Sequence, residues 1–306
     1  MTDASGTAWI AADWGTTNLR VWALDSQGGT RAHRHSAKGM GTLEREDFEA
    51  ALLELIGDLL PLGTPTPVIV CGMAGSRQGW AEAPYVAAPC TPPSLENATR
   101  VATGDARLDV HILPGIKQLA PPDVMRGEET QIAGFLAEEP DFNGLLCLPG
   151  THTKWAVLEK GRLISFRTCI TGELFALLSE RSVLSHGLSD RDMDMDAFRQ
   201  AVERGALEPE QLLSDLFGIR AAGLIAGLSP DAARGRLSGL LIGADLAAVR
   251  ADLTDQPVAI LGNDGLAETY RAALSCLGRQ ARLLDADALT LRGLALAYSS
   301  HAKVSS

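Results

Sequence analysis

Short apolar runs separated by glycine turns dominate the first part of the chain. Residues 9–13 form an apolar run that predicts a buried strand. Residues 19–24 and 30–37 predict two further strands, with a turn at Gly28 and Gly29 between them. The pattern then predicts, in chain order, a helix over residues 47–60, a strand over 68–71, a proline-rich loop over 84–93 and a strand over 110–113.

The opening pattern recurs further along the chain. Residues 145–148 predict a buried strand that ends in a Gly-Thr turn, and residues 154–158 and 163–168 predict the next two strands. Aligning Gly15 with Gly150 gives an offset of 150 − 15 = 135 residues. This repeat predicts an internal duplication and two similar α/β halves. A chance match is the alternative, because only Gly and Thr coincide well.

The last third of the chain is mainly helical in pattern. A strand is predicted over residues 258–261, and it runs into a glycine-containing turn at residues 262–265. We divide the chain into an N-terminal half over residues 1–120 and a C-terminal half over residues 121–306. Further helices are predicted over residues 127–138, 221–228, 237–253, 266–277 and 288–298.

Charge and composition exclude several classes of protein. The net charge of −11 argues against nucleic acid as a partner, because phosphate backbones are bound by surplus Lys and Arg. No apolar run approaches the ~18 residues typical of a membrane span, so no membrane association is expected. The 5 cysteines form no CxxC pair, which favours free thiols in a reducing cytoplasm. Assembly as a homodimer is a further expectation.

A polar motif follows the first predicted strand. Asp13 ends this strand, and a carboxylate is costly there unless it meets a cation or hydrogen-bond donors. Gly15 allows the backbone to approach a ligand, and Thr16, Thr17 and Asn18 offer donors to phosphate oxygens. The motif predicts a phosphate site at which Asp13 holds Mg²⁺ through water. The alternative is a hairpin turn with a capping Asp.

A second turn of the same kind supports the phosphate prediction. Gly150, Thr151 and His152 follow the first strand of the second half. Two such turns, one from each half, can hold one polyphosphate across a cleft. The sequence has no GxxxxGK[ST] and no GxGxxG motif, so neither a P-loop nor a Rossmann site is supported.

Several segments, spread in order over most of the chain, resemble those of 2-dehydro-3-deoxygalactonokinases. The opening strand, the two Gly-Thr turns and the late glycine turn also resemble the actin, hexokinase and Hsp70 superfamily. The segments are DWGTTNLRVW (13–22), GMAGSRQGW (72–80), APY (83–85), MRGEETQ (125–131), LPGTHTKW (148–155), FRTCITGEL (166–174) and SGLLIGAD (238–245).

The resemblance implies an enzyme of the actin-like α/β fold, with two ribonuclease H-like halves and the active site in the cleft between them. It implies transfer of the ATP γ-phosphate to the terminal hydroxyl of 2-dehydro-3-deoxy-D-galactonate, giving the 6-phosphate in galactonate catabolism. The cofactors expected are ATP and Mg²⁺. Gly262 and Asp264 of the late turn are expected near the adenosine, although this turn departs from the Gly-Gly form common in the superfamily.

The acids after Gly127 are the candidates for the catalytic base. The resemblance implies a carboxylate at this helix start, where it can accept the proton of the attacking hydroxyl. Glu128 and Glu129 both qualify, and the sharp turn available at Gly127 favours Glu128. Both acids can instead simply complement the helix dipole.

The carboxylate of a 2-keto acid requires a cation in the site. Arg126, Lys154 and Arg167 lie in the family-like segments, and an arginine fork matches a carboxylate well. Ser76 is expected to form a hydrogen bond with a substrate hydroxyl, and Trp80 is expected to line the pocket. Each of these residues has an ordinary alternative, as a surface charge or as part of the core.

Other functions remain open on the sequence alone. One alternative is a kinase of the same fold with another sugar or sugar acid, and another is a non-catalytic ATP-binding sensor. The acidic run at residues 192–196 has the spacing of a calcium loop, but Ala197 replaces the glycine that such a loop needs. This run therefore predicts the start of a helix.

Overall fold

The computed structural model describes residues 6–92, 94–253, 255–262 and 265–304. The chain forms two compact units. Unit 1 contains the described residues up to Phe142, the segment Lys160–Ile164 and the described residues from Ala286 onwards. Unit 2 contains Asn143–Glu159 and the described residues of Ser165–Asp285.

Runs of strands and runs of helices follow one another along the described chain. The strands are β1 (Trp9–Trp14), β2 (Leu19–Leu24), β3 (Thr30–Ser36), β4 (Thr66–Gly72), β5 (Tyr85–Ala87), β6 (Thr99–Val101), β7 (Leu108–Ile112), β8 (Gly115–Leu119), β9 (Pro122–Met125), β10 (Gly144–Leu148), β11 (Thr153–Glu159), β12 (Arg162–Cys169), β13 (Val258–Leu261) and β14 (Ala281–Leu284). The helices are α1 (Phe48–Ile56), α2 (Glu128–Glu138), α3 (Thr171–Arg181), α4 (Met195–Leu207), α5 (Leu212–Ile225), α6 (Pro230–Ala248), α7 (Gly265–Cys276) and α8 (Ala286–Val304).

The main sheet of unit 1 has the strand order β3-β2-β1-β4-β7-β6. Strand β1 is antiparallel to β2 and parallel to β4, so the carboxyl ends of β1 and β4 lie at the same edge of the sheet. Every side chain of β1 except Asp13 is buried, as expected for a central strand covered on both faces. The buried strand β1 therefore carries one partly exposed carboxylate, that of Asp13, near the edge of the sheet.

The sheet of unit 2 repeats this connectivity. Its strand order is β12-β11-β10-β13-β14, with β10 antiparallel to β11 and parallel to β13. The hairpin, the crossover to a parallel neighbour and the next parallel strand occur in both sheets. The internal duplication predicted from the Gly-Thr repeat is confirmed.

A small sheet in unit 1 departs from the sequence prediction. Its strands pair in the order β5-β8-β9, and β5 lies inside the stretch expected to be a proline-rich loop. Strand β5 has three residues, which is too short to show a two-residue period. The sequence prediction of a continuous loop over residues 84–93 was wrong at this point.

The acidic run before α4 forms a helix cap. The Asp194 carboxylate accepts hydrogen bonds from the backbone N–H groups of Asp196 and Ala197, at 2.9 Å each. These bonds satisfy donors that the first turn of a helix leaves free. The predicted helix start is therefore confirmed.

Helix α8 packs against α2 within unit 1. A Cβ at Gly134 would come within 2.0 Å of the Leu289 carbonyl oxygen, and one at Gly293 within 2.0 Å of the Thr130 carbonyl oxygen. Only glycine allows the two backbones to approach this closely. Because α2 and α8 both belong to unit 1, the compact units differ from the sequence-based division at residue 120. No described helix is both long and apolar enough to cross a bilayer.

Candidate active site

Asp13 lies at the carboxyl end of β1 and forms an ion pair. Arg20 stands directly opposite it in the β1–β2 register, and the Arg20 Nη2 lies 2.5 Å from the Asp13 Oδ2. Arg20 also pairs with Asp287 in the first turn of α8. The sequence analysis assigned no role to Arg20 or Asp287. A four-residue hairpin turn after Trp14 would have placed Arg20 opposite Asp13, so that contact was predictable in principle.

The first Gly-Thr turn is fixed through its carbonyl groups. The Gly15 N–H donates to the Asn18 carbonyl at 2.9 Å. Backbone N–H groups of residues 39–41 donate to the carbonyls of Gly15, Thr16 and Thr17. The side chains of Thr16, Thr17 and Asn18 are exposed. The turn therefore has a rigid backbone and presents hydroxyl and amide groups to solvent.

Gly72 brings Asp13 next to the start of α2. A Cβ at Gly72 would lie 3.4 Å from the Asp13 Oδ1, and one at Gly127 would lie 3.3 Å from the Gly72 Cα. Both glycines have positive φ, +88° at Gly72 and +109° at Gly127, which other residues adopt at a cost. The predicted metal-binding carboxylate and the predicted catalytic corner therefore lie side by side.

The two acids of this corner have different environments. Glu129 is 1% exposed, and its Oε2 accepts a hydrogen bond from the Gly127 N–H at 2.7 Å. Burial, with a smaller effect from the neighbouring Glu128, raises the pKa of Glu129 to about 8. Glu128 is partly exposed, and its Oε2 accepts from the Arg126 N–H at 3.1 Å. Near neutral pH, Glu129 is therefore a buried neutral acid, and Glu128 is the accessible one.

Arg126 brings together three of the family-like segments. Its Nη2 donates to the Ala83 carbonyl at 2.8 Å, and its guanidinium lies 4.3 Å from the centroid of the Tyr85 ring. A Cβ at Gly75 would meet the Nη1 at 2.7 Å. Within the described residues, the buried Nε and Nη1 of Arg126 and the buried Oγ of Ser76 have no hydrogen-bond partner. Buried donors of this kind are costly unless a ligand or water satisfies them.

The other predicted substrate residues belong to the core of unit 1 or to unit 2. Trp80 is in the core of unit 1, 5.8 Å from the Trp14 ring and 6.1 Å from the Phe48 ring by centroid. This position favours the alternative of a core residue. Lys154 is buried in β11 of unit 2, and its Nζ donates to the His152 carbonyl at 3.4 Å. Arg167 is exposed on β12, also in unit 2.

The second Gly-Thr turn rests on the start of α3. A Cβ at Gly172 would come within 2.3 Å of the Gly150 carbonyl oxygen. The Glu173 N–H donates to the Thr151 carbonyl at 2.9 Å, and its carboxylate lies 2.5 Å from the His152 Nε2. Thr151 and His152 are exposed. This turn is therefore also fixed by backbone bonds and open on its side-chain face.

A pocket of about 690 Å³ lies wholly within unit 2. Its volume is in the range of small-molecule sites. The residues around it include Gly150, Thr151, Thr171, Ile242, Gly265 and Tyr270. Thr171 and Ile242 belong to two of the family-like segments, but neither residue was predicted from the sequence to take part in the site. Gly262 precedes the pocket-lining start of α7, and Asp264 lies outside the described residues.

The comparisons with known proteins agree along nearly the whole chain. A family model described as 2-keto-3-deoxy-galactonokinase, a synonym of the name used above, matches residues 13–297. A probable 2-dehydro-3-deoxygalactonokinase of Rhizobium meliloti (strain 1021) is 39% identical, over 94% of this chain and 96% of the relative. The 2-dehydro-3-deoxygalactonokinase of Escherichia coli (strain K12) is 36% identical, over 88% and 90%.

Solved structures support the same assignment. A crystal structure of a protein of the same designation from Sinorhizobium meliloti has a TM-score of 0.88 at 38% identity, covering 95% of this chain and 96% of that one. Component A of (R)-2-hydroxyglutaryl-CoA dehydratase from Acidaminococcus fermentans, at 14% identity and a TM-score of 0.51, shares the fold alone, over 96% and 98%. The resemblance found in the sequence is confirmed: the chain belongs to the 2-keto-3-deoxy-galactonokinase family and is an ATP-dependent sugar-acid kinase with the actin-like α/β fold.

Proposed function

We propose that this chain transfers the γ-phosphoryl group of ATP to the terminal 6-hydroxyl of 2-dehydro-3-deoxy-D-galactonate, in galactonate catabolism. The observation that carries the proposal is the contact of Asp13 and Gly127 with the same residue, Gly72. Phosphoryl transfer requires a metal-organising carboxylate and a base near the acceptor hydroxyl. Asp13, at the carboxyl end of β1, and Glu128, at the start of α2, would supply these groups.

The surroundings of Asp13 fit a hydrated Mg²⁺. Its Oδ2 is held by Arg20, whereas its Oδ1 lies 3.7 Å from the Cys71 thiol, a weak donor. The Oδ1 therefore keeps the capacity to accept a hydrogen bond from metal-bound water. Mg²⁺ prefers oxygen ligands and retains several waters, and it would supply neutralisation of phosphate charge.

Glu128 is the proposed general base. It is the more exposed of the two acids, and the Arg126 N–H bond orients its carboxylate. Glu129, buried and bonded to the Gly127 N–H, would instead hold the backbone of this corner in place.

The nucleotide is proposed to occupy the unit 2 pocket. The pocket includes Gly150 and Thr151, so phosphates at the second turn would continue from a base and ribose inside the pocket. Thr16 and Thr17 of the first turn, whose side chains are exposed, stay predictions for phosphate contacts. Gly262 and Asp264 stay predictions for the adenosine contacts.

Arg126 and Ser76 are proposed to bind the substrate carboxylate. The Nε and Nη1 of Arg126 are buried donors without a partner among the described residues, and the Ser76 hydroxyl is a further one, so a carboxylate could accept hydrogen bonds from them. Lys154 and Arg167 stay predictions as further cations for the substrate. A cytoplasmic location and a homodimer also stay predictions from the sequence.

A panel of sugar acids tests the proposal. ATP consumption is measured with 2-dehydro-3-deoxy-D-galactonate, its C4 epimer and common hexoses, and the product is located by ³¹P NMR. We expect turnover with the first compound and phosphate at its terminal carbon. Turnover only with another compound would favour a different sugar kinase of this fold. ATP binding without turnover on any acceptor would favour the sensor.

A further inference from the structure

A buried carboxylate lies beside the unit 2 pocket. Asp245, on α6, is 4% exposed. Its Oδ1 accepts from the Trp155 Nε1 at 2.6 Å, and its Oδ2 accepts from the Thr171 hydroxyl at 2.8 Å and the Tyr270 hydroxyl at 2.6 Å. These donors are neutral, and they come from β11, α3 and α7. One side chain of α6 therefore connects three other elements.

Each bonded element contributes to the pocket or to its phosphate turn. Thr171 precedes Gly172, which packs directly on the Gly150 carbonyl. Tyr270 belongs to α7, whose first residue lines the pocket. The Tyr270 hydroxyl also lies 2.8 Å from the hydroxyl of Thr153, which follows the second turn. The turn and two walls of the pocket are thus joined through one carboxyl group.

The cost of burying this carboxyl group argues for a role in positioning. A buried carboxylate requires good donors to offset its desolvation, and apolar side chains of similar size commonly stabilise a core at least as well. What such a network provides is a defined arrangement of its donors. Burial raises the pKa of Asp245, and the hydrogen bonds from Tyr270, Thr171 and Trp155 oppose that rise.

We infer that Asp245 is a positioning residue for the nucleotide: its carboxyl group holds the start of α3 and the middle of α7 against β11, so that the second turn and the pocket keep the shape that binds ATP. This inference rests on the proposed function, because it takes the unit 2 pocket as the nucleotide site. It assigns Asp245 no contact with the nucleotide. The residues proposed for the sugar acid in unit 1 lie outside this network.

The direct test is Asp245→Asn, which keeps the size of the side chain. The Asn amide replaces one acceptor with a donor, so at least one bond to Trp155, Thr171 or Tyr270 is lost. Loss of a hydrogen bond to a charged group costs roughly 1.4 kcal/mol or more, which corresponds to about 10-fold in affinity. We expect the Kd of a non-hydrolysable ATP analogue and the KM for ATP to rise about 10-fold. The KM for the sugar acid should stay within about 2-fold, as no bond in unit 1 changes.

Two further variants separate positioning from stability. Tyr270→Phe removes one hydroxyl from a residue that is 1% exposed, and it should weaken nucleotide binding in the same direction, by a smaller factor. The matched control is Asp215→Asn on α5, which breaks the 2.8 Å pair between Asp215 and Arg204 away from the pocket. The control should leave both KM values unchanged. Thermal unfolding of each variant records the loss of stability separately.

The outcomes distinguish the inference from the proposed function. If Asp245→Asn lowers the Tm but binds the analogue as wild type does, Asp245 is merely structural and the inference is overturned. If Asp245→Asn does not fold, Tyr270→Phe provides the test instead. Nucleotide binding by Tyr270→Phe at the wild-type level would then overturn the inference. If wild type binds the analogue but phosphorylates no sugar acid, the proposed function fails while the binding comparison still decides the inference. A wild-type protein that binds no nucleotide overturns both.

Discussion

The two units share one strand connectivity but differ at the equivalent hairpin. In unit 1, Asp13 on the first strand stands opposite Arg20 on the second. In unit 2, the residue aligned with Asp13 is Leu148, and it stands opposite Lys154. The carboxylate at the strand end occurs only in the first of these two hairpins. In unit 2 the buried carboxylate, Asp245, comes from a helix and is bonded to neutral donors.

Under the proposed function, the duplicated scaffold divides the work of a kinase. Unit 1 carries the charged groups proposed for a metal ion and for proton transfer. Unit 2 carries a pocket lined by polar side chains such as Thr151 and Thr171 and by the two cations Arg191 and Arg234. The two Gly-Thr turns are therefore equivalent in backbone form. The chemistry of each turn depends on the residues beside it.

The largest effect is expected at Asp13. Asp13→Asn removes the charge that would organise Mg²⁺, and loss of several kcal/mol of charge stabilisation corresponds to roughly 10²- to 10⁴-fold in kcat. Steady-state kinetics at saturating Mg²⁺ and both substrates measures this loss. Asp196→Asn, at an exposed position in the first turn of α4, is the control and should be fully active. Near-normal turnover by Asp13→Asn would end the assignment of the metal to unit 1.

The next largest effect is expected at the two acids that follow Gly127, Glu128 and Glu129. Glu128→Gln should lose about 10²- to 10⁴-fold in kcat, the usual contribution of a general base, with both substrates still bound. Glu129→Gln should lose only a few-fold, because Gln can still accept the Gly127 N–H bond. Single-turnover rates at saturating ATP and sugar acid measure both variants. A dead Glu129→Gln with an active Glu128→Gln would reverse the roles, and two active variants would make the corner structural.

A smaller effect is expected at the two Gly-Thr turns, where it tests whether both turns contact phosphate. Thr16→Val and Thr151→Val each remove one hydroxyl beside the proposed phosphates, and each should lower kcat/KM for ATP roughly 10-fold. Thr30→Val, an exposed position on β3, is the matched control. A loss in Thr16→Val alone would show that the turn of unit 2 does not contact phosphate. Unchanged ATP binding and kcat in both variants would contradict the shared phosphate site.

A last effect, on stability and not on catalysis, concerns unit 1 and its dependence on pH. The pKa of Glu129 is raised from an ordinary 4.5 to about 8 by burial, so the folded state keeps a proton that the unfolded state releases between these values. The contribution of Glu129 to stability is therefore complete below pH 4.5 and is lost as the pH rises to about 8. Glu129→Gln should gain free energy of unfolding relative to wild type by up to roughly 1.4 kcal/mol per pH unit in this window.

Chemical denaturation of both proteins at several pH values measures that difference. Glu54→Gln, which changes an acid whose side chain is 60% exposed, serves as the control and should show no such slope. A constant difference between Glu129→Gln and wild type from pH 5 to 8 would show that Glu129 is ionised in the folded protein.

The central strands were predictable because the local sequence alone indicates that they are buried. The apolar runs of β1, β4, β10 and β13 are each covered on both faces, so they stand out without any knowledge of their neighbours. The sheet of β5, β8 and β9 was missed because its strands are short and partly exposed. Their pairing depends on partners distant in sequence.

Part of the candidate site was likewise predictable from the sequence, and part was not. Asp13 was a candidate because a carboxylate at the end of a buried strand needs a cation or donors, whereas the Glu128–Glu129 corner was expected from the resemblance to the family. The pairing of Arg20 with Asp287 joins residues that are 267 positions apart, and no local pattern indicates it. Asp245 was quoted in a family-like segment without a role, because its partners Trp155, Thr171 and Tyr270 are neutral and scattered.

The packing of α8 on α2 has a consequence for synthesis of the protein on the ribosome. The glycine contacts that support α2 involve Gly293 and Leu289, which are translated about 160 residues after the acids that α2 carries. Domains generally fold in the order in which they emerge. Here, the strands of unit 1 emerge first, unit 2 emerges whole, and only then does the segment that completes unit 1 leave the exit tunnel. We therefore expect the corner of Glu128 and Glu129 to be among the last parts of the nascent enzyme to reach its final form.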